Sequence, residues 1–238
     1  PYGVRAPEEV CEFAVEIGDH LAGQGIKMLV VACNTATAAA LPCLLGRYQF
    51  PVVSVIGPGA RSAATISRSG RIGVLATEVT VASGAYTAAI LACRRDASVV
   101  ERAASWLVPV LESGIVREDV VSLGLAPALT DMAARGIDAL VLGCTHFPLA
   151  HRIIERAVGP GVAIVDSAGT TAREVLRLLR SQALESDGPA RNRFLVTGPA
   201  EAFAVRALSM FGQAPAIETV NIGRASFGRV RGFVPEAS

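Results

Sequence analysis

Two stretches of the chain, GIKMLVVACNTA at 25–36 and GIDALVLGCTHF at 136–147, share one pattern. Each begins with Gly-Ile, continues as an aliphatic run of strand length, and ends at a cysteine followed by polar side chains. Five identities fall at a single offset of 111 residues: Gly25 with Gly136, Ile26 with Ile137, Leu29 with Leu140, Val30 with Val141, and Cys33 with Cys144. This favours two similar α/β halves, although buried parallel strands resemble one another in many proteins.

Strand and helix patterns alternate along the rest of the chain, which is typical of parallel sheets covered by helices. We therefore expect an α/β fold of two similar parallel-sheet lobes, related by a pseudo-two-fold axis, with the active site in the cleft between them. Lobe A is expected to contain 1–57 and 167–238, and lobe B 58–166. Single helices are predicted at 80–95 and 145–158, and a helix from 34 to 48 is expected to be kinked or divided at Pro42.

Composition excludes several classes of protein. Hydrophobic residues make up 51% of the 238 residues and charged residues 18%, which indicates a globular chain. The net charge of +1 does not suggest nucleic-acid or membrane binding. The aliphatic runs are too short to span a membrane, and the first ten residues lack the apolar region of a signal peptide. Five cysteines without a C-x-x-C motif argue against a disulfide framework or a zinc site, so free thiols and a cytoplasmic location are expected.

Cys33 and Cys144 both stand at the carboxyl end of a strand, where open parallel sheets bind their ligands. Asn34 and Thr35 follow the first cysteine and Thr145 the second, and each group is expected to begin a helix. Such N-termini bind carboxylates and lower the pKa of a nearby thiol.

Two thiols on opposite sides of one carbon suit stereoinversion, because one thiolate can remove a Cα proton while the other thiol returns one to the opposite face. The alternative is that each cysteine is simply a small buried apolar residue. That interpretation is kept for Cys11, Cys43 and Cys93, which lie in helical patterns.

The sequence indicates neither a metal nor an organic cofactor. The single lysine, Lys27, begins its strand at the end opposite the cysteine and is badly placed for a Schiff base with pyridoxal phosphate. His146 lies two residues after Cys144, but this spacing alone does not make a metal site. His146 is either a surface imidazole or a group that tunes Cys144.

Several motifs together resemble the glutamate racemases of the aspartate/glutamate racemase superfamily: PYG at 1–3, VVACNTA at 30–36, GVLATEVT at 73–80, VLGCTHFPL at 141–149 and TGPAEAF at 197–203. The resemblance implies a cofactor-independent, cytoplasmic and commonly dimeric enzyme that supplies D-glutamate for peptidoglycan. Its catalytic cysteines match Cys33 and Cys144, with His146 and the acidic Glu112 beside them. The implied substrate-binding residues are Tyr2, Gly3, Asn34, Thr35, Thr77, Thr80, Thr145 and His146, with Thr80 favoured over Thr77.

The chain departs from this family pattern at several positions. The family begins with a strand and a D-S-G-x-G-G loop, and a further Asp precedes its PYG motif; these are not found here. The repeat also indicates that the first half lacks an opening strand, since RIGVLATEVT at 71–80 has no counterpart before Cys33. We therefore expect residues 1–238 alone to be unstable or inactive. Ala76 also replaces a usual glycine, and the Cys-Pro usual before Glu112 is missing.

Two alternatives to a glutamate racemase remain open. One is another enzyme of the superfamily, such as an aspartate racemase, a hydantoin racemase or a maleate isomerase. The other is an inactive truncated paralogue that binds an amino acid or a partner. The PYG and CTHFPL motifs favour glutamate, and the two retained cysteines favour an enzyme.

Overall fold

The computed structural model of the protein describes residues 2–189, 191–212 and 215–222. The chain divides into two compact units, Pro1–Pro189 and Ala190–Ser238. The predicted lobes, 1–57 with 167–238 and 58–166, follow different boundaries and stay a prediction. The end of predicted lobe A, 223–238, lies outside the described residues.

The first unit contains parallel sheets with helices between the strands. Its elements are a 3-10 helix (Tyr2–Val4), α1 (Pro7–Ala22), β1 (Leu29–Val31), α2 (Asn34–Leu45), β2 (Val52–Ser54), α3 (Ile56–Ile66), β3 (Arg71–Ala76), α4 (Glu78–Ser83), α5 (Ala85–Cys93), β4 (Ser98–Ala103), α6 (Leu107–Glu112), α7 (Glu118–Ala134), β5 (Ala139–Gly143), a second 3-10 helix (Phe147–Ala150), α8 (His151–Val158), β6 (Ala163–Asp166) and α9 (Ser167–Ser181). Strands β1 and β2 pair in parallel, and a second parallel sheet has the order β4-β3-β5-β6. The expectation of an α/β fold with parallel sheets is confirmed.

The central strand β5 shows why this sequence builds such a sheet. All five of its residues are buried, because it lies between β3 and β6 and its two faces are covered by different helices. Leu140 and Leu142 pack with Leu107 of α6 and Met132 of α7. On the other face, Val141 packs with the cluster of α3 and α5 side chains. The apolar run of β5 ends at Gly143. Cys144 and the polar residues after it therefore lie at the carboxyl edge of the sheet.

A third apolar cluster joins α1, β1 and α2. Val10 of α1 packs with Val31, Ala40 and Leu44. This cluster fixes the position of α2, the helix that begins directly after Cys33.

Of the two outcomes expected at Pro42, division is excluded, because α2 continues past this residue as one helix. Two other predicted helices differ in detail. The helix expected over 80–95 is two helices, because Gly84 between them has a left-handed φ of +63°. The helix expected over 145–158 begins as a 3-10 helix, in which Phe147 and Ala150, three residues apart, are both buried, and α8 begins only at His151.

The second unit contains β7 (Phe194–Val196), α10 (Ala200–Phe211) and β8 (Ile217–Thr219), with β7 and β8 parallel. Neither α6 nor β8 was predicted from the sequence. None of the helices in the described part of the chain has both the length and the apolar character needed to cross a membrane.

Asp138, just before β5, holds the turn between α3 and β3. Its carboxylate accepts hydrogen bonds from the hydroxyl of Ser67 and from the backbone N–H groups of Arg68 and Ser69. Partial burial alone would raise the pKa of Asp138, but these hydrogen bonds outweigh it and lower the pKa to about 2.

We expect Asp138→Asn to reduce the free energy of unfolding by about 1 kcal/mol at pH 7, a value discounted because solvent screens this site. A lowered pKa means that the contribution is present above the unfolded-state value and is lost as the pH falls from about 4 to about 2. Urea unfolding at several pH values measures this. Between about pH 4 and pH 2, the wild type should lose a part of its free energy of unfolding that the Asp138→Asn variant does not lose. Equal acid sensitivity of the two proteins would contradict the role of Asp138.

Candidate active site

Cys33 lies between β1 and α2 and occupies the N-cap position of α2. Its backbone is extended (φ −90°, ψ 127°), and its carbonyl accepts the first helical hydrogen bond from the N–H of Thr37 at 2.8 Å. The side chain is half-buried and packs in the α1–α2 cluster, which also includes Tyr2. Burial, and then the neighbouring Cys33, raise the pKa of Tyr2.

Cys144 follows β5 directly and is 7% exposed. Burial raises the pKa of its thiol to about 11; the N–H groups of His146 and Phe147 oppose this, while the charges of Cys33 and Glu112 add to it. The expectation that a helix N-terminus at Thr145 lowers this pKa is therefore wrong. The physical reason is that Cys144 is followed by a turn and a 3-10 helix, whose few N–H groups do not outweigh the loss of water.

A hydrogen bond joins the segments that carry the two cysteines. Thr145, directly after Cys144, donates its hydroxyl proton to the carbonyl of Ala32, directly before Cys33, at 3.0 Å. This contact shows that the two strand ends meet. Both thiols are free.

His146 stands between Cys144 and Glu112. Its Nδ1 is 3.9 Å from the Cys144 sulfur, and its Nε2 is 3.1 Å from Oε1 of Glu112. Glu112 is the last residue of α6, so this short helix brings the carboxylate to the site. A carboxylate that orients an imidazole beside a thiol is an arrangement that can move a proton to and from sulfur.

Three threonine hydroxyls form a buried cluster. Thr77 Oγ1 lies 3.0 Å from the hydroxyls of both Thr35 and Thr80, and Thr35 and Thr80 are 3.5 Å apart. Gly3 packs directly against Thr77, since a Cβ on Gly3 would lie 2.7 Å from its methyl carbon. The PYG segment, the start of α2 and the start of α4 therefore meet at one place.

Asn34 is 1% exposed and is held by two side chains that sequence reasoning missed. The hydroxyl of Tyr86 donates to Asn34 Oδ1 at 2.7 Å, and Asn34 Nδ2 donates to Ser167 Oγ at 3.5 Å. The Tyr86 ring also packs against Gly143, next to Cys144, where a Cβ would come within 2.9 Å of it. A tyrosine inside the apolar helix AYTAAILAC is the available signal, because a buried phenol needs a hydrogen-bond partner.

An apolar cavity of about 390 Å³ borders Thr145 and Ser167. Its other lining residues are almost all aliphatic, and neither cysteine is among them. A charged amino acid needs polar partners, so this cavity does not match the predicted substrate.

The predicted site residues thus fall into neighbouring groups in the structure. Cys33 lies near Tyr2, Cys144 lies with His146 and Glu112, Thr145 connects the two strand ends, and Gly3, Thr35, Thr77 and Thr80 form one cluster. Asn34 is the exception, because its amide is directed at Tyr86 and Ser167. Among residues 2–189, 191–212 and 215–222, no three His, Cys, Asp or Glu side chains come together in a way that could hold a metal ion.

Comparison with known proteins identifies the family. The family model for Asp/Glu/Hydantoin racemase matches residues 1–175. A glutamate racemase of Geobacter metallireducens is 47% identical over 180 residues, which are 76% of this chain and 67% of that protein. A glutamate racemase of Mycobacterium leprae is 43% identical over 228 residues, which are 94% of this chain and 82% of that protein.

Solved structures agree with this assignment. The glutamate racemase isoform RacE1 from Bacillus anthracis superposes with a TM-score of 0.89 at 35% identity, covering 92% of this chain and 83% of that chain. The glutamate racemase from Francisella tularensis, in complex with D-glutamate, superposes with a TM-score of 0.85 at 26% identity, covering 93% and 84%. The chain therefore belongs to the Asp/Glu/hydantoin racemase family, and within that family to the glutamate racemases.

Proposed function

We propose that the full-length protein interconverts L-glutamate and D-glutamate without a cofactor, with Cys33 and Cys144 as the two acid–base groups. The observation that carries this proposal is the meeting of the two cysteine-bearing strand ends through Thr145 and Ala32. The active site is then the cleft between two similar lobes related by a pseudo-two-fold axis.

In the proposed reaction, the thiolate of one cysteine takes the Cα proton from one face of glutamate. The other cysteine, still a thiol, gives its proton to the opposite face, and the product has the inverted configuration. The reverse reaction uses the same groups with their roles exchanged, because the two directions share one transition state. No electron transfer is involved, and the enzyme ends with the proton on the other sulfur.

The remaining site residues are proposed to bind the substrate and to control the proton on Cys144. The hydroxyls of Thr35, Thr77 and Thr80 and the N–H groups at the start of α2 suit the charged ends of glutamate. Tyr2, Gly3 and Thr145 complete the walls, and Asn34 is proposed to contribute through its backbone, because its amide is bonded to Tyr86 and Ser167. His146, oriented by Glu112, exchanges the proton of Cys144.

We further propose a cytoplasmic homodimer that supplies D-glutamate for peptidoglycan. Free cysteines suit a reducing compartment. Exposed aliphatic side chains around the start of α7, namely Ile115, Val116, Val120 and Leu123, suit an interface with a second copy. Light scattering on the purified protein measures the oligomeric state, and a monomer at micromolar concentration would contradict the dimer.

Racemisation in D₂O tests the two-thiol reaction. L-Glutamate and D-glutamate are incubated separately, and deuterium at Cα is followed by NMR in both enantiomers at early times. With two bases, the product carries deuterium while unreacted substrate keeps its proton. Deuterium appearing in the substrate as quickly as in the product would indicate a single base. Aspartate, a hydantoin and maleate, assayed alongside, distinguish the other enzymes of the superfamily; inactivity on every substrate would support an inactive paralogue.

The pH dependence gives a second prediction. The active enzyme needs one thiol and one thiolate, so activity is lost when the second thiol ionises. Because burial raises the pKa of Cys144 to about 11, we expect kcat/KM to fall with an alkaline midpoint near 11, and not near the ~8.5 of a free thiol.

The same profile should appear in both directions, because mirror-image substrates have equal free energies and the ratio of the two kcat/KM values stays at one. Initial rates for each enantiomer between neutral pH and about pH 12, with enzyme stability checked at every pH, measure this. An alkaline midpoint near that of a free thiol would contradict the buried, protonated Cys144.

A further inference from the structure

A pair of cysteines outside the candidate active site lies at the contact between α1 and α2. The sulfur of Cys11, in α1, is 3.3 Å from the sulfur of Cys43, in α2. The two residues are 32 positions apart in the chain, so this contact depends on the packing of the two helices. Cys43 and Cys93 are exposed and Cys11 is half-buried, so the interpretation of these three cysteines as buried apolar residues is wrong. Reagents in solution reach the Cys43 sulfur first.

We propose that Cys11 and Cys43 form a dithiol modification site that uncharged small-molecule disulfides oxidise to a reversible intramolecular disulfide. Two sulfurs in contact need to approach by only about 1.3 Å to reach the ~2.05 Å of a disulfide bond. The helices that carry them are held by the buried Val10, Ala40 and Leu44, so the two thiols stay together.

The reaction proceeds by two thiol–disulfide exchanges. The Cys43 thiolate attacks one sulfur of the small disulfide and expels a small thiolate, giving a mixed disulfide. Cys11 then loses its proton and attacks the Cys43 sulfur, expelling the second small thiolate. The protein loses two electrons and two protons, and the small disulfide is reduced to two thiols.

The electrostatics of the site support this order and this class of reagent. Burial, the hydrogen bond with Cys43, the charge of Cys43, and then Glu12 and Glu8, raise the pKa of Cys11 to about 11. Cys11 therefore remains a thiol at neutral pH, while the exposed Cys43 meets the reagent. The carboxylates of Glu8 and Glu12 disfavour anionic disulfides, so an uncharged one is the better reagent.

The consequence is a covalent connection between two helices that hold the walls of the active site. Helix α1 follows the Tyr2–Gly3 segment, and α2 begins at Asn34. Because the sulfurs are already in contact, the connection should form without moving Cys33, and racemase activity should be retained. Closing a loop of this length should raise Tm by about 5–10 °C.

The test uses the purified full chain and 2-hydroxyethyl disulfide. Mass spectrometry under non-reducing conditions should show a loss of two hydrogens with no retained adduct, reversed by dithiothreitol. Trypsin places Cys33 and Cys43 in one peptide, 28–47, so fragmentation must assign the bridge. Cys11→Ser should instead give a stable mixed disulfide at Cys43, and Cys43→Ser should give no bridge. The matched control is Cys93→Ser, which removes another exposed helical cysteine and should leave the bridge intact.

Three results would overturn the proposal. One is a stable mixed disulfide at Cys43 in the wild type, which would show that Cys11 does not reach it. Another is a bridge from Cys11 to Cys33, accompanied by loss of racemase activity. The third is an intermolecular Cys43–Cys43 bridge, visible as a covalent dimer that the Cys11→Ser variant also forms.

Discussion

Cys33→Ser and Cys144→Ser should each lower kcat for glutamate racemisation by at least about 10³-fold, in both directions, which is within the range lost when a positioned acid–base group is removed. Serine has nearly the shape of cysteine, but its hydroxyl is a far weaker acid than a thiol and does not ionise to the anionic base that the reaction needs. In the proposed reaction, each direction needs both sulfurs, one to take the proton and one to return it. Initial rates from either enantiomer, measured by polarimetry, test this.

Each of the two variants should still catalyse a partial reaction that an unfolded protein does not catalyse. A single remaining thiolate can remove the Cα proton from the face it contacts and return deuterium to the same face. We therefore expect each variant to catalyse slow Cα exchange in D₂O without inversion, and the two variants to act on opposite enantiomers. Cys93→Ser is the matched control and should keep wild-type racemisation. Wild-type rates in either active-site variant would contradict the two-thiol reaction.

The sequence identifies the parts of the site that depend on local pattern. The two cysteines could be found because each ends a fully apolar run, and the ends of parallel strands lie at one edge of a sheet. The threonines after β3 could be found because their loop follows a buried strand. These side chains are fixed by the strand that precedes them, and that strand is visible in the sequence.

The parts that could not be found depend on contacts between distant segments. Nothing near Tyr86 in the sequence indicates that its hydroxyl reaches Asn34, 52 residues earlier. The short helix α6 has too few residues for a clear periodicity, although it carries Glu112 to His146. The direction of the Cys144 pKa was predicted wrongly because burial, which is a property of the whole fold, outweighs the local N–H groups.

That raised pKa supports the role that we propose for His146. A thiol with a pKa of about 11 is almost entirely protonated at neutral pH, yet one direction of the proposed reaction needs its thiolate. A neutral imidazole that donates its Nε2 proton to Glu112 presents the lone pair of Nδ1 to the Cys144 sulfur. His146 can then accept the thiol proton, and the carboxylate of Glu112 stabilises the resulting imidazolium.

We therefore expect His146→Gln to lower kcat by about 10²-fold at pH 8, the lower part of the range for a positioned base. The loss should shrink as the pH rises towards the pKa of Cys144, because hydroxide then removes the proton that His146 would have accepted. His151→Gln is the matched control, since His151 is also half-buried and lies five residues later at the start of α8. A loss that is equal at every pH, or a change confined to KM, would mean that His146 binds the substrate without exchanging the Cys144 proton.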